Sequence, residues 1–368
     1  MNVVSEEKND PENDRARHAE NFPLPARTPK RDNPGISPSK WRVGLHTSIA
    51  GSLDQAAERA QRLGCTAFQI FSTSPRMWKQ REPSADEIAS LRSFRQKYDL
   101  NPLVIHANYL LNLASSDPEL RRRSVEAFRG EVLRAAALGA EYLVLHPGSY
   151  RGASAGQGVR TLAASIREAV QEAPLDGVTL LVENTCGQGN ILGGNFAELR
   201  DILGLLEGIS VRCCVDTAHC FAAGMDVASE EGLESMLESL DATVGLGRVP
   251  VIHTNDSRSP LGSHRDRHEH IGKGGIGREG FRRIVNHPAL RDKVFILETP
   301  LEAEGDDRRN MKTIRTLREE KLRIAVPRLL KKNSRITQPV RMTGRVCVSE
   351  LQTSAAKAAL KSQHLRHD

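Results

Sequence analysis

Six short apolar runs in this 368-residue chain end in, or just before, a histidine or a carboxylate. His106 closes LVIH, His146 follows YLVL, Glu183 closes TLLVE, Asp216 closes VRCCVD, His253 lies in VIHTND and Glu298 follows VFIL. Three more residues join them: His219, three positions after Asp216 in VDTAH, and the pair Asp266 and His268 in RDRH. Imidazole and carboxylate without thiolate form the donor set of a catalytic zinc site, with manganese or iron as substitutes. Such groups cannot share a dry pocket unaided, because unpaired carboxylates are costly to desolvate and repel one another. Divalent cations remove both costs. Nine ligands are too many for one ion and suit three. Taken singly, each position has a plainer explanation. A histidine at a strand end, such as His46, is commonly a hydrogen-bonded core residue, and an aspartate there commonly caps the next helix. Neither explanation covers six strand ends at once.

The elements that would position these residues are visible as a repeat. Apolar runs recur at Val43–His46, Ala67–Phe71, Leu103–His106, Tyr142–His146, Thr179–Glu183, Val211–Asp216, Val251–Asn255 and Val294–Glu298. They lack polar alternation, so they are expected to be buried on both faces, as in a parallel sheet covered by helices. Helical spacing fills Ser52–Leu63, Ser84–Lys97, Glu119–Leu138, Val159–Glu172 and Phe196–Leu206, with Gly64 and Gly139 as stop signals. Asn310–Glu319 supplies an eighth helix. The pattern predicts an α/β fold, a (β/α)8 TIM barrel over 41–320 whose C-terminal strand ends meet on one face. A doubly wound open sheet is the alternative from pattern alone. Residues 1–40 are polar and proline-rich, and are expected to form a disordered N-terminal extension. Residues 321–368 are expected to form a basic C-terminal extension outside the barrel.

Charge is unevenly distributed. Residues 321–368 hold 11 Lys/Arg and 2 Asp/Glu, whereas 1–40 hold 7 of each, so the net charge of +6 leaves 41–320 at −3. The basic end has two readings, a nonspecific contact with nucleic acid or a solvated terminus. The six cysteines form no CxxC pair, and no export signal or membrane-length apolar run is legible. The expectation is reduced, buried thiols and a cytoplasmic location. GKGGIG at 272–277 fits GxGxxG but follows a polar loop instead of a strand, so it reads as a close backbone approach to a phosphate or as a turn. The glycines of CGQGNILGGN, after the fifth run, carry the same two readings.

These residues lie in motifs that resemble a known family. IHANYLLNLAS, VLHPGS, LLVENTCGQG, VDTAH, FAAG, HTNDS, DRHEHIG and ILETP, in this order from Trp41 to about Glu320, resemble the signatures of endonuclease IV. The resemblance implies three Zn2+ ions at the barrel mouth. His106, His146 and Glu183 would hold one, Glu183, Asp216, His253 and Glu298 a second, and His219, Asp266 and His268 the third. Glu183, as the bridge between metals, and Glu298, orienting or deprotonating water, would be the catalytic residues. It implies a DNA-repair hydrolase that cuts the phosphodiester 5′ to abasic sites, leaving a 3′-hydroxyl and a 5′-deoxyribose phosphate, with 3′-end processing as a related activity. The partner would be double-stranded DNA carrying abasic or 3′-blocked lesions, met by a monomer associated with the nucleoid. Arg76 in FSTSPRMW and Tyr109 and Leu110 in IHANYLLN stand where the family inserts side chains into the duplex. Three divalent ions would carry the −3 barrel to about +3, compatible with DNA. A metal-dependent sugar isomerase or epimerase on the same barrel is the competing enzyme reading, since fold alone cannot separate the two. A protein that binds DNA only through its basic end would leave the nine-ligand cluster without a purpose.

Overall fold

Strands buried on both faces must be covered by helices or closed on themselves. The computed structural model, which describes residues 40–78 and 80–318, does both. Its strands in chain order are β1 (Arg42–Leu45), β2 (Phe68–Phe71), β3 (Leu103–His106), β4 (Tyr142–Leu145), β5 (Thr179–Glu183), β6 (Val211–Asp216), β7 (Val251–His253), β8 (Asp256–Ser257), β9 (His268–Glu269) and β10 (Val294–Leu297). Eight of them make one parallel sheet in the order β1-β10-β7-β6-β5-β4-β3-β2, and β8 and β9 form a separate antiparallel pair. The two sheet ends meet. His46 bridges Gln69, Thr47 N donates to Gln69 O at 2.8 Å, and Thr66 N donates to Val43 O at 2.8 Å. This is the predicted TIM barrel.

Closure depends on one glycine. A Cβ on Gly44 would lie 1.8 Å from the Ala67 carbonyl oxygen, so any side chain would force β1 and β2 apart. Gly44→Ala is therefore expected to destabilise the barrel by about 1–3 kcal/mol, as overpacking does. A denaturant melt checks this, and an unchanged midpoint would show that the seam can open at no cost.

The helices are α1 (Leu53–Arg62), α2 (Ala85–Tyr98), α3 (Pro118–Leu138), α4 (Ala155–Glu172), α5 (Phe196–Leu205), α6 (Thr217–Ala223), α7 (Glu230–Thr243), α8 (Gly277–Asn286) and α9 (306–318). Their starts follow capping chemistry. Ser84 and Glu87 form a reciprocal capping box on α2, Asp117 caps α3 ahead of Pro118, and Ser154 caps α4. The Ser154 cap places the start of α4 four residues before the predicted Val159. Sequence reading had not named α6, α7, α8 or the β8–β9 pair. The seventh run also ends early, at His253, with Asn255 outside the strand. Both predicted extensions, 1–40 and 321–368, lie outside the described residues apart from Lys40.

The core has two layers, set by the two-residue period of a strand. Leu103, Ile105, Leu180, Val182, Cys213 and Val215 pack with helical residues such as Val132 and Ile166 in a large cluster. Their strand neighbours Ala67, Val104, Val144, Leu181, Cys214, Val251 and Ile296 form a smaller cluster inside the barrel. Stepping two residues along from the inner set reaches Gln69, His106, His146, Glu183, Asp216, His253 and Glu298. The polar strand ends thus share the inward register, one level above an apolar plug.

All five cysteines among the described residues are free and buried, as expected. No helix there is long and apolar enough to cross a membrane.

Candidate metal centre

Glu183, wholly buried at the end of β5, is the hub of the cluster. Its Oε2 lies 3.4 Å from His106 Nε2 and 3.2 Å from His146 Nε2, and its Oε1 lies 2.9 Å from His253 Nδ1. His253 Nδ1 is also 3.3 Å from Glu298 Oε2. On the far side, Asp266 reaches both His219 Nε2 and His268 Nε2 at 3.2 Å. All nine side chains singled out in the sequence therefore come together. Eight of them form three groups of ligand atoms: His106, His146 and Glu183; Glu183, Asp216, His253 and Glu298; and Asp216, His219 and His268. Asp266 stands beside the third group through its contacts with both histidines, and Asp216 belongs to the second and third.

Asp216 shows that a cap and a site residue need not be alternatives. Its Oδ1 accepts from His219 N at 2.9 Å and so caps α6, while Oδ2 stays in the cluster, 2.5 Å from Asn255 Nδ2. His46 also reaches the rim. Its Nδ1 is 2.9 Å from Gln69 Nε2 and its ring packs on Phe71 at 4.4 Å between centroids, but it belongs to none of the three groups.

The imidazoles are oriented from behind. His106 Nδ1 pairs with Ala107 O at 2.8 Å, His219 Nδ1 with Asn184 O at 2.9 Å and His268 Nδ1 with Glu298 O at 3.0 Å. A carbonyl can only accept, so these rings carry a proton on Nδ1 and turn Nε2 toward the carboxylates. Asn184 and Asn255 hold the acids: Asn184 Oδ1 accepts from Asp216 N at 2.6 Å, and Asn255 Oδ1 accepts from Glu298 N at 2.7 Å. Sequence reading missed both asparagines and Gln69. The available signal was an amide directly after a site residue in VEN, an amide two residues after His253 in HTND, and a lone polar residue inside the apolar run FQIF.

Burial disfavours every charge here, and it pushes His46 below its usual pKa. It would also push the Glu183 carboxyl up, but His253 and His146 outweigh it and hold that group well below the ordinary carboxylate range. Asp266 is depressed in the same way by His219 and His268. In return, and against burial, Asp216 and Asp266 raise His268 to about 9. The four acids create a field that demands positive charge. A divalent cation satisfies the same demand without protons.

The residues fit such ions on two structural grounds. Glu183 Oε2 and His268 Nε2 are buried polar atoms without a hydrogen-bond partner, although nitrogens or oxygens of the cluster surround both. The 3.2–3.4 Å spacings around Glu183 Oε2 also match the ligand–ligand edge of a tetrahedron with bonds of about 2.0 Å.

The expected contact residues line the mouth. Arg76 is exposed after β2, Tyr109 is 65% exposed after β3, and Leu110 beside it is half-buried. Tyr109 packs edge-on against Phe71 at 5.0 Å, and Asn108 Nδ2 donates to Met77 O at 3.0 Å, tying the two loops together.

The glycine-rich segments are turns. In GKGGIG the amides of Gly272, Gly274 and Ile276 donate to the Asp256 carboxylate at 2.9–3.0 Å, so they are committed to the protein and not to a phosphate. A Cβ on Gly274 would lie 2.3 Å from Ser257 O, which explains the glycine. The CGQGNILGGN segment laces to the HPGS turn, with Leu192 N donating to Gly148 O at 2.9 Å and Tyr150 N to Asn190 O at 3.0 Å.

Comparison with known proteins agrees with this geometry. Residues 57–319 match the family described as xylose isomerase-like TIM barrel. The probable endonuclease 4 of Solibacter usitatus is 51% identical over 284 residues, covering 76% of this chain and 98% of that protein. The probable endonuclease 4 of Halothermothrix orenii is 44% identical over 260 residues, covering 70% and 93%. The crystal structure of endonuclease IV from Thermus thermophilus superposes with a TM-score of 0.68 at 42% identity, covering 76% of this chain and 99% of that one. A 3-keto-D-glucoside 4-epimerase from E. coli superposes at 0.55 with 14% identity, a likeness of fold alone. Shared sequence over nearly the full length of these relatives separates two enzyme classes that the barrel cannot, and on that ground the chain belongs to the endonuclease IV family.

Proposed function

We propose that this protein is a metal-dependent DNA-repair endonuclease that hydrolyses the phosphodiester 5′ to an abasic site, with three Zn2+ ions held by the nine clustered side chains. The observation that carries this reading is the contiguity of the three ligand groups, which share Glu183 and Asp216 beneath the exposed Arg76 and Tyr109 loops. His106, His146 and Glu183 would hold one ion, Glu183, Asp216, His253 and Glu298 a second, and His219, Asp266 and His268 the third. When bound, the ions supply Lewis-acid charge for the phosphate oxygens and acidify water.

The protein's own groups do the rest. Glu183 is sealed from solvent and fixes the spacing of the histidines around it. Glu298 keeps 16% of its side chain exposed, unlike Glu183 and Asp216 at 0%, so it is the strand-end acid able to accept the proton of an attacking water. Its Oε1 is held by Gln69 and its backbone by Asn255, which keeps the carboxylate aimed into the mouth. Arg76, Tyr109 and Leu110 would enter the duplex where a base is missing, because unstacking costs least there. The same site would clean blocked 3′ ends.

The test is a duplex with one abasic-site analogue, incubated with and without a strong chelator. Cleavage 5′ to the lesion that the chelator abolishes is the expected result. An untouched duplex together with turnover of a free sugar would overturn the reading in favour of an isomerase or epimerase.

Tyr109→Ala removes the most exposed ring of the mouth. Aromatic–base stacking is worth about 1–3 kcal/mol, so affinity for the abasic duplex should fall about 5- to 150-fold. Zinc content should stay unchanged. A variant that binds the duplex normally would remove Tyr109 from the DNA contact set.

A further inference from the structure

β2 reads FQIF, and its one polar residue falls on the inward register beside the cluster. Gln69 is fully buried, and its neighbours permit only one orientation of the amide. Glu298 Oε1, 2.5 Å from Gln69 Nε2, belongs to a carboxylate and can only accept, so the NH2 end of the amide faces it. The amide oxygen is then the atom 2.8 Å from His253 Nε2. That oxygen also only accepts, so His253 carries a proton on Nε2. Any proton on Nδ1 is the one a cation would displace, because Nδ1 is the atom turned toward Glu183 at 2.9 Å and Glu298 at 3.3 Å. His106, His219 and His268 use the opposite arrangement, with Nδ1 held by a backbone carbonyl. His253 differs from these three in being held by a side chain.

We propose that Gln69 is a positioning residue of the metal centre: its amide makes His253 present Nδ1 to the ligand group of Glu183, Asp216 and Glu298, and tethers Glu298 within that group. The proposal rests on the reading that the cluster binds divalent cations. The second Gln69 N–H points to His46 Nδ1 at 2.9 Å, so the amide is fully used and has no freedom to flip. Partners of this kind typically contribute 10- to 100-fold to metal affinity, by fixing tautomer and ring orientation.

The experiment is zinc uptake by the full chain, titrated against a chromophoric chelator, for the wild type, Gln69→Leu and Gln69→Glu. It is joined by 15N spectra of the histidine rings in the zinc-loaded wild type and Gln69→Glu. Gln69→Leu should weaken one ion about 10- to 100-fold and leave the others unchanged. Gln69→Glu keeps the acceptor for His253, so His253 should retain its proton on Nε2 while Glu298, now facing a like charge, binds more weakly. Equal affinity for every ion in wild type and Gln69→Leu, or a loaded wild type with the His253 proton on Nδ1, overturns the proposal. The spectrum of the wild type decides the matter even if Gln69→Leu fails to fold. A wild type that takes up no zinc overturns the metal reading itself, an outcome visible without any variant.

Discussion

Glu183→Gln should abolish strand cleavage, lowering kcat/KM on the order of 10³-fold or more, as expected when a preorganised charge is removed from the reacting centre. The substitution keeps volume and shape, so the barrel should still form. What it removes is the negative charge that His106 and His146 face from one side and His253 from the other. An amide NH2 would instead present a donor to one of those sides. Because Glu183 is completely buried, no water can replace the lost charge. Two of the three ligand groups contain this residue, so zinc content should fall along with activity. Metal analysis beside a cleavage assay separates the cases, and a variant that cuts at the wild-type rate would remove Glu183 from the centre of the reaction.

Stripping the metal is the second large effect. Dialysis against a strong chelator should eliminate cleavage, and added zinc should restore it. It should also lower stability, because each ion bound only by the folded state and present at a hundred times its Kd adds about 2.7 kcal/mol. The cation-free protein should compensate partly with protons. His268 is raised to about 9 against burial, chiefly by Asp216 and Asp266, so it is protonated at neutral pH in that form. A zinc ion held there would have to expel this proton, so uptake at pH 7 should release acid, and apparent affinity should climb as pH rises toward about 9. The sign is fixed by the raised pKa: the protonated imidazole stabilises the cation-free fold at low pH and loses that role as pH passes through the folded value. Calorimetry in buffers of different ionisation enthalpy reads the proton release. A melting point indifferent to the chelator would show that these groups hold no ion, and uptake without proton release would show that His268 is neutral in the cation-free protein.

Much of this was written in local pattern. The barrel followed from eight apolar runs without polar alternation, and six helices followed from spacing, two of them with Gly64 and Gly139 as stops. Six of the nine clustered residues were legible because strand ends in a parallel barrel share one face, and a two-residue period fixes which side chains point inward. His219, Asp266 and His268, by contrast, lie off the barrel strands, in α6, in the loop after β8 and in β9 respectively. The helices α6, α7 and α8 were not named. α6 starts directly at Asp216, with no loop to mark it, and the start of α8 is tied to Asp256, twenty or so residues upstream.

Composition and register are written in the chain: which residue types end the strands, which face they occupy, and that the set suits metal ions better than a dry pocket. Long-range packing settled how the barrel closes, at Gly44 against the Ala67 carbonyl, and where the amides of GKGGIG go, to Asp256. It also decided which nitrogen each histidine turns inward. That choice depends on partners far away in the chain, 184 residues in the case of Gln69 and His253 and 35 in the case of Asn184 and His219. A periodic pattern records the face on which a side chain lies, because the backbone sets it locally. The direction of a lone pair is set by whatever the fold packs behind the ring, and no local pattern carries that.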